Sequence, residues 1–173
     1  MTFDIFARLP ADSKANTERK LVQFWIDRLR CGIDIMAVRE IVAAGETAAI
    51  PNTPSYVVGA ADHRDMLVPV IDMRQRFGLL PGKSLNCKWI IAISSGLETA
   101  LLVDSVQGVT TVSKSAERTP HPLMDGARQG WISKVYGDED GLTFEIDVNM
   151  ITSDLPIQIP KEMFAKQGRE GEQ

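Results

Sequence analysis

Several kinds of residue and pattern are scarce in this sequence, and each scarcity removes a class of protein. The 173 residues hold two cysteines and two histidines. Cys31 and Cys87 form no C-x-x-C pair, so a zinc site has no framework. Two buried, reduced thiols are expected, with a single disulfide as the minor alternative. No apolar run reaches the length of a membrane span, roughly 18 residues or more. Residues 1–19 carry Asp4, Asp12 and Glu18 and lack the apolar core of a signal peptide, so a cytoplasmic location is expected. Basic excess is also missing: the net charge is -4, which argues against nucleic acid as partner. Glycine (13) and proline (9) are at average levels, which excludes collagen-like and low-complexity chains. With 44% hydrophobic residues the chain is globular, long enough for one ordinary domain or two very small ones.

What is present is a succession of period-two runs. Val22, Phe24 and Ile26 fall on one face, and Cys31, Ile33 and Ile35 resume the alternation after Asp27–Arg30, which predicts a β-hairpin. From Ala37 to Ala44 the spacing of Val38, Ile41 and Val42 predicts one or two helical turns. Pro51 and Pro54 bracket an extended or turning segment. Pro69 interrupts Met66–Ile71 and predicts an edge or bulged strand. Asp72 with Gln75 resembles a capping box for a short helix ending at Phe77-Gly78. Strands return at Trp89–Ser94 and Ala100–Val106, and at Val109–Val112 after a turn at Gln107-Gly108. Residues 115–130 predict a long surface loop. Trp131–Tyr136 and Leu142–Ile146 predict a second hairpin around Asp140-Gly141, with Leu142, Phe144 and Ile146 inward and Thr143 and Glu145 outward.

An internal echo accompanies these runs. Ile33, Ile35, Val38 and Ile41 are spaced 2, 3 and 3. Leu101, Val103, Val106 and Val109 repeat that spacing, each at a constant shift of 68 in number from its counterpart. Two copies of one small β unit, packed into one cooperative body, would explain it; chance among common aliphatic residues is the alternative.

Chemistry is sparse. Asp72, Asp104 and Asp147 each end an apolar run, where a carboxylate more often caps a turn than performs acid–base work. Asp62-His63-Arg64-Asp65 offers two carboxylates, too few for a hard-cation cage. It reads as an exposed polar turn or as a recognition turn led by the Arg64 guanidinium. His121, the other histidine, lies in the loop, and neither a G-x-S-x-G elbow nor a glycine-rich phosphate loop occurs. No catalytic residue, metal site or cofactor is expected. Val38, Tyr56, Val57, Val58 and Met66 are candidate apolar contacts for a partner, each with core packing as the alternative.

Four ordered segments carry a family resemblance. They are the stretch Cys31 to Ile41, the proline-bracketed Ile50 to Gly59, the stretch Val68-Pro69-Val70-Ile71-Asp72-Met73-Arg74-Gln75-Arg76-Phe77-Gly78, and Leu102-Val103-Asp104-Ser105-Val106. Together they resemble the bacterial chemotaxis coupling protein CheW over roughly residues 19–155. The resemblance implies an all-β, CheW-like fold with short helices, built as two five-stranded SH3-like barrels around a shared core. Residues 1–18 would be a loosely held leader, with Phe3, Ile5 and Phe6 docked on the body. The barrels would meet near 80–88, and 156–173 would form a polar tail. It implies an adaptor without catalysis, linking the cytoplasmic tips of chemoreceptors to the histidine kinase CheA, without direct membrane insertion and recruited to membrane-associated arrays. A hydrophobic groove between the barrels would take the receptor's helical hairpin tip. By position, Val38, Glu40, Gly59 and Arg64 match the receptor-facing region and Ile35 the kinase-pairing region. One departure stands out. The family reads Asn-Leu-Arg-Gly where this chain has Asp62-His63-Arg64-Asp65, which leaves open a divergent module serving another partner or regulating an array.

Overall fold

A computed structural model describes residues 18–82, 85–119 and 130–155. The expectations for the leader, for His121 and most of its loop, and for the tail from 156 lie outside the described residues. Among the described residues eleven strands and two short α-helices follow in order. The strands are β1 (Glu18–Ile26), β2 (Leu29–Asp34), β3 (Val38–Ala43), β4 (Val57–His63), β5 (Met66–Asp72), β6 (Lys88–Ser94), β7 (Leu97–Val103), β8 (Ser105–Ser113), β9 (Glu117–Arg118), β10 (Ile132–Asp138) and β11 (Gly141–Ile146). Helix α1 (Met73–Arg76) follows β5 and α2 (Val148–Thr152) follows β11.

The strands form two sheets. The first has order β8-β1-β2-β11-β10-β9 and the second β3-β6-β7-β5-β4. Strands on either side of residues 80–88 share one sheet, in which β6 and β7 lie beside β3, β4 and β5. The chain crosses from the first sheet to the second between Asp34 and Val38, and back between Val103 and Ser105.

The two sheets repeat one plan. Hairpin β1–β2 turns at Asp27 with φ 55°, and β6–β7 turns at Ser95 with φ 49°. Asp27 and Ser95 are related by the shift of 68 seen in the echo, and so are the bulges at Arg39 in β3 and Gln107 in β8. A shift of 75 relates hairpin β4–β5 to β10–β11, their bulges at Val58 and Ser133, and the helix-capping Asp72 and Asp147. Each capping carboxylate accepts two amide hydrogens of its helix's first turn. Each sheet also has one parallel pairing, β5 with β7 and β2 with β11.

This plan decodes the echo and corrects two expectations. A bulge puts two residues opposite one, so same-face residues stand three apart. Val38 and Ile41 thus face Ala92 and Ile90, and residues 38–43 are a strand, not a helix. Likewise Val106 and Val109 face Phe24 and Val22, and Gln107-Gly108 is a bulge within β8, not a turn. Asp104 caps no helix; it accepts the Asp27 amide and both oxygens bind the Arg74 Nε. The loop expected over 115–130 contains a 3₁₀ turn at Lys114–Ala116 and the two-residue β9.

Strand β5 is not an edge: β7 lies on one side and β4 on the other. Pro69 is tolerated for a local reason. Its partner Ala60 sends both its amide and its carbonyl outward to Ala48, each at 2.8 Å. The pair is therefore of the non-hydrogen-bonded kind, and the missing Pro69 donor points away from β4. Pairing with β7 begins only at Val70.

One face of each sheet meets the other sheet's across a shared core that includes Phe24, Cys31, Ile33, Ile71, Ile90 and Leu101. The remaining faces differ. The second sheet fills its own concave face with Val68, Val70, Ile91 and Ala100. The first sheet has Thr143, Glu145, Gln23 and Gly32 at the corresponding positions. Thr143 and Glu145 are therefore buried, at 1% and 4% exposure, and Leu142 is exposed, against the expected alternation, while Ile146 is buried in the shared core as expected. Alternation fails to identify the outside because the sheet curls and buries both faces. Glu145 is satisfied by the Tyr136 hydroxyl, which donates at 2.9 Å, and by Arg19 at 2.8 Å. Both cysteines are free, Cys31 buried and Cys87 partly so, which removes the disulfide alternative.

Candidate functional site

The chain reverses at Arg64-Asp65, a two-residue turn between β4 and β5 in which both residues have positive φ, 52° and 63°. That is the type I′ signature, for which glycine and asparagine are suited and arginine is not. The departure from glycine at 65 is thus placed in a left-handed conformation that Asp tolerates better than most residues.

The strained arginine is held by a carboxylate from the far end of the sheet. Arg64 Nε lies 2.9 Å from Glu40 Oε1, and Nη2 donates to Oε2 at 3.0 Å. Glu40 belongs to β3 and Arg64 follows β4, the two outermost strands. The forked pair therefore marks where the curled sheet brings its edges together. His63 Nε2 approaches the same Glu40 oxygen at 2.6 Å. Arg64 spends its donors on Glu40, not on the adjacent Asp65. Among the described residues no group of three or more His, Cys, Asp or Glu side chains is placed to hold a metal.

The other expected positions fall differently. Val38 is half-buried against the shared core. Gly59 is buried, with φ 149°, and an added Cβ would sit 2.4 Å from the Ala48 carbonyl oxygen. It shapes the site by admitting the 47–48 backbone and is not a surface contact. Ile35 sits in a 3₁₀ turn and packs on the core, whereas its neighbour Met36 is 86% exposed. Of the apolar candidates, Val57 is buried, Val58 packs on the second sheet's core, Tyr56 packs on the shared core, and Met66 is open to solvent.

Beside the Arg64 turn runs a groove of about 490 Å³. Met66–Pro69 of β5 form one wall, the β6–β7 turn with Leu97–Thr99 the other, and α2 with Leu155 closes the end. The groove exists because β5 and β7 pair only from Val70 and Ala100 onward, so the parallel seam stands open before that point. Leu97 and Met66 at its mouth are 72% and 56% exposed. Ser94 fixes α2 by donating to Asn149 Oδ1 at 2.9 Å and by a 2.7 Å contact with the Thr152 hydroxyl. Arg39, the bulged residue of β3, reaches Glu98 on the groove wall at 2.9 Å. None of Ile35, Val38, Glu40, Gly59 or Arg64 lines the groove. Sequence reading missed Met36, the His63 contact with Glu40 and the Arg39–Glu98 pair. The bulge that aims Arg39 was written only in the three-residue spacing.

Comparison with known proteins adds a second line of observation. Residues 20–155 match the family model described as CheW-like domain. The chain is 26% identical over 144 residues to the chemotaxis protein CheW of Treponema pallidum, covering 80% of this chain and 85% of that one. It is 32% identical over 114 residues to a probable chemotaxis protein CheW of Rhizobium etli, covering 65% and 74%. The crystal structure of the scaffolding protein TtCheW from Thermoanaerobacter tengcongensis superposes with a TM-score of 0.71 at 28% identity, covering 77% of this chain and 91% of that one.

Proposed function

The chain belongs to the CheW-like family of non-enzymatic chemotaxis scaffolds, and from that premise we propose that it couples the cytoplasmic tips of chemoreceptors to a CheA-type histidine kinase in membrane-associated arrays. No helix of the described residues is long and apolar enough to cross a membrane, so such recruitment runs through the receptor. The observation that carries this reading is the forked Glu40–Arg64 pair at the turn that leads into β5, whose Met66 to Pro69 line an apolar groove. A helical tip offers apolar side chains to a groove, and a fixed guanidinium at the rim sets its orientation more than its affinity. The kinase face is assigned to the turn bearing Ile35, with Met36 as the side chain that reaches outward.

Co-sedimentation of the purified chain with receptor-containing membranes and CheA-type kinase tests this. Arg64→Glu and Val38→Asp abolish receptor binding, and Met36→Glu abolishes kinase binding while receptor binding persists. Failure of the unaltered chain to bind either partner from the same cell overturns the reading.

One observation favours a second reading, a CheW-like module with another partner or with array regulation as its task. It is the His63 ring on Glu40, next to a turn without glycine. The double change His63→Leu and Asp65→Gly distinguishes the two. Unchanged coupling in cells fits the first reading, and a change of partner fits the second.

A further inference from the structure

The polar interior of the first sheet reaches the turn where the chain crosses to the second. That turn, Ile35–Ala37, is thinly held. The Val38 amide donates to the Ile35 carbonyl, and the Met36 amide donates to Asp34 Oδ1 at 2.9 Å. Ile35 packs on the core while Met36 is 86% exposed, so consecutive side chains diverge. Little packs around Met36, and its direction is set by the turn's hydrogen bonds.

Asp34 is itself anchored. Its other oxygen takes Arg19 Nη2 at 2.5 Å. The same nitrogen lies 2.8 Å from Glu145 Oε1, and the Tyr136 hydroxyl donates to Glu145 Oε2 at 2.9 Å. A continuous series of polar contacts thus runs from Tyr136, buried inside the sheet, to the Met36 amide at the surface. Burial pushes the Asp34 carboxyl up, but the Arg19 hydrogen bond and the Met36 amide bring it below its ordinary value.

The series is confined to one half of the molecule. Shifts of 68 and 75 put Leu102, Cys87, Val70 and Ala61 where Asp34, Arg19, Glu145 and Tyr136 stand. The counterpart of Met36 is Asp104, which the Arg74 guanidinium holds through both oxygens. The polar series therefore accompanies the crossover that projects a side chain outward and is missing from the crossover that does not.

We propose that Arg19 is a positioning residue: by anchoring Asp34 to the buried Glu145 it fixes the 34–37 turn so that Met36 is presented to a partner. The identity of that partner rests on the kinase reading of the turn; the mechanics of the turn do not. The polar interior of the first sheet then has a task, which is to hold from inside the arginine that sets an outer contact.

Amide exchange of the full chain and co-sedimentation with CheA-type kinase are measured for Arg19→Gln, Arg19→Lys, Asp34→Ala and the double variant of Arg19→Gln with Asp34→Ala. Expected in Arg19→Gln is roughly tenfold faster exchange at the Met36 amide and roughly tenfold weaker kinase binding, with receptor binding unchanged. Arg19→Lys restores part of both. Asp34→Ala leaves Arg19 on Glu145 and reproduces both losses, and the double variant is no worse than Asp34→Ala alone, because Arg19 acts through Asp34. Unchanged Met36 exchange in Arg19→Gln overturns the proposal, and so do losses that add in the double variant. A rise shared equally by the Ile90 and Leu101 amides of the core marks general loosening and overturns it too. Faster Met36 exchange with undiminished kinase binding overturns the presentation of Met36. An unaltered chain that binds no kinase overturns the kinase reading instead, and the exchange results still decide the role of Arg19.

Discussion

Three residues show how local chemistry sets the site. Gly59→Ala forces a Cβ to within 2.4 Å of the Ala48 carbonyl oxygen and strains a positive φ. A loss of about 2–4 kcal/mol is expected, read as a lower urea midpoint at unchanged slope. Glu40→Ala acts in the opposite sense. Arg64 is 66% exposed, so losing the ion pair costs folding at most about 1 kcal/mol, yet receptor binding should fall at least tenfold. Asp138 illustrates linkage. The Arg30 guanidinium, 2.6 Å away, holds its carboxyl below the usual range. The folded-state value is the lower one, so its contribution is present above the unfolded value near 4 and is lost as pH falls through the folded value. Asp138→Asn therefore lowers stability at pH 7 and flattens its decline below about pH 4, as a series of urea melts would record. The polar turn at Arg64 was legible. Its conformation was not, because positive φ at an arginine follows from strand register and leaves no trace in composition.

At the scale of elements, strands with plain alternation were legible: β1, β2, β6, β7 and the capped α1 stand where the pattern put them. Bulged strands were not. One extra residue at Arg39 turned a spacing of two into three and imitated a helix, and the same device at Gln107 imitated a turn. Alternation in β11 placed Ile146 correctly in the core but put Thr143 and Glu145 outside, where they are buried. A curled sheet has two buried faces, and only the contents of the neighbouring strands say which takes polar groups. Its concave face holds Glu145 between Arg19 and Tyr136, whose hydroxyl pKa is raised by burial first and by Glu145 second. Tyr136→Phe removes the donor and leaves a buried carboxylate less satisfied, for a loss of about 1–3 kcal/mol by denaturant melts. The Val70→Thr change in the second sheet tests the contrast: with no polar neighbour network to join, the buried hydroxyl costs about 1–3 kcal/mol.

Across the whole molecule, the sheets are joined at one arginine. Arg76 lies 4.2 Å from the ring centroids of both Tyr56 and Trp131 and donates to Ile151 O and Asp154. Tyr56 and Trp131 are themselves equivalent under the shift of 75. The Tyr56 carbonyl accepts the Asp72 amide and the Trp131 carbonyl accepts the Asp147 amide, each at 2.8 Å. Arg76 thus occupies the local axis of the duplication. Arg76→Met should cost about 2–4 kcal/mol, with far-UV and near-UV signals still falling in one transition because both sheets contribute to the shared core. The echo between Ile33–Ile41 and Leu101–Val109 disclosed the duplication. The interleaving escaped it, since spacing reports repetition but not which sheet a strand joins. That interleaving also orders the protein's assembly in time. Every strand of the second sheet lies between Val38 and Val103, whereas β1 and β2 must wait for β8, β10 and β11. On a ribosome, the second sheet is complete while the first is still one hairpin, holding Phe24 and Ile33 without the strands that flank them. The part of the molecule that begins the chain is the last to be finished.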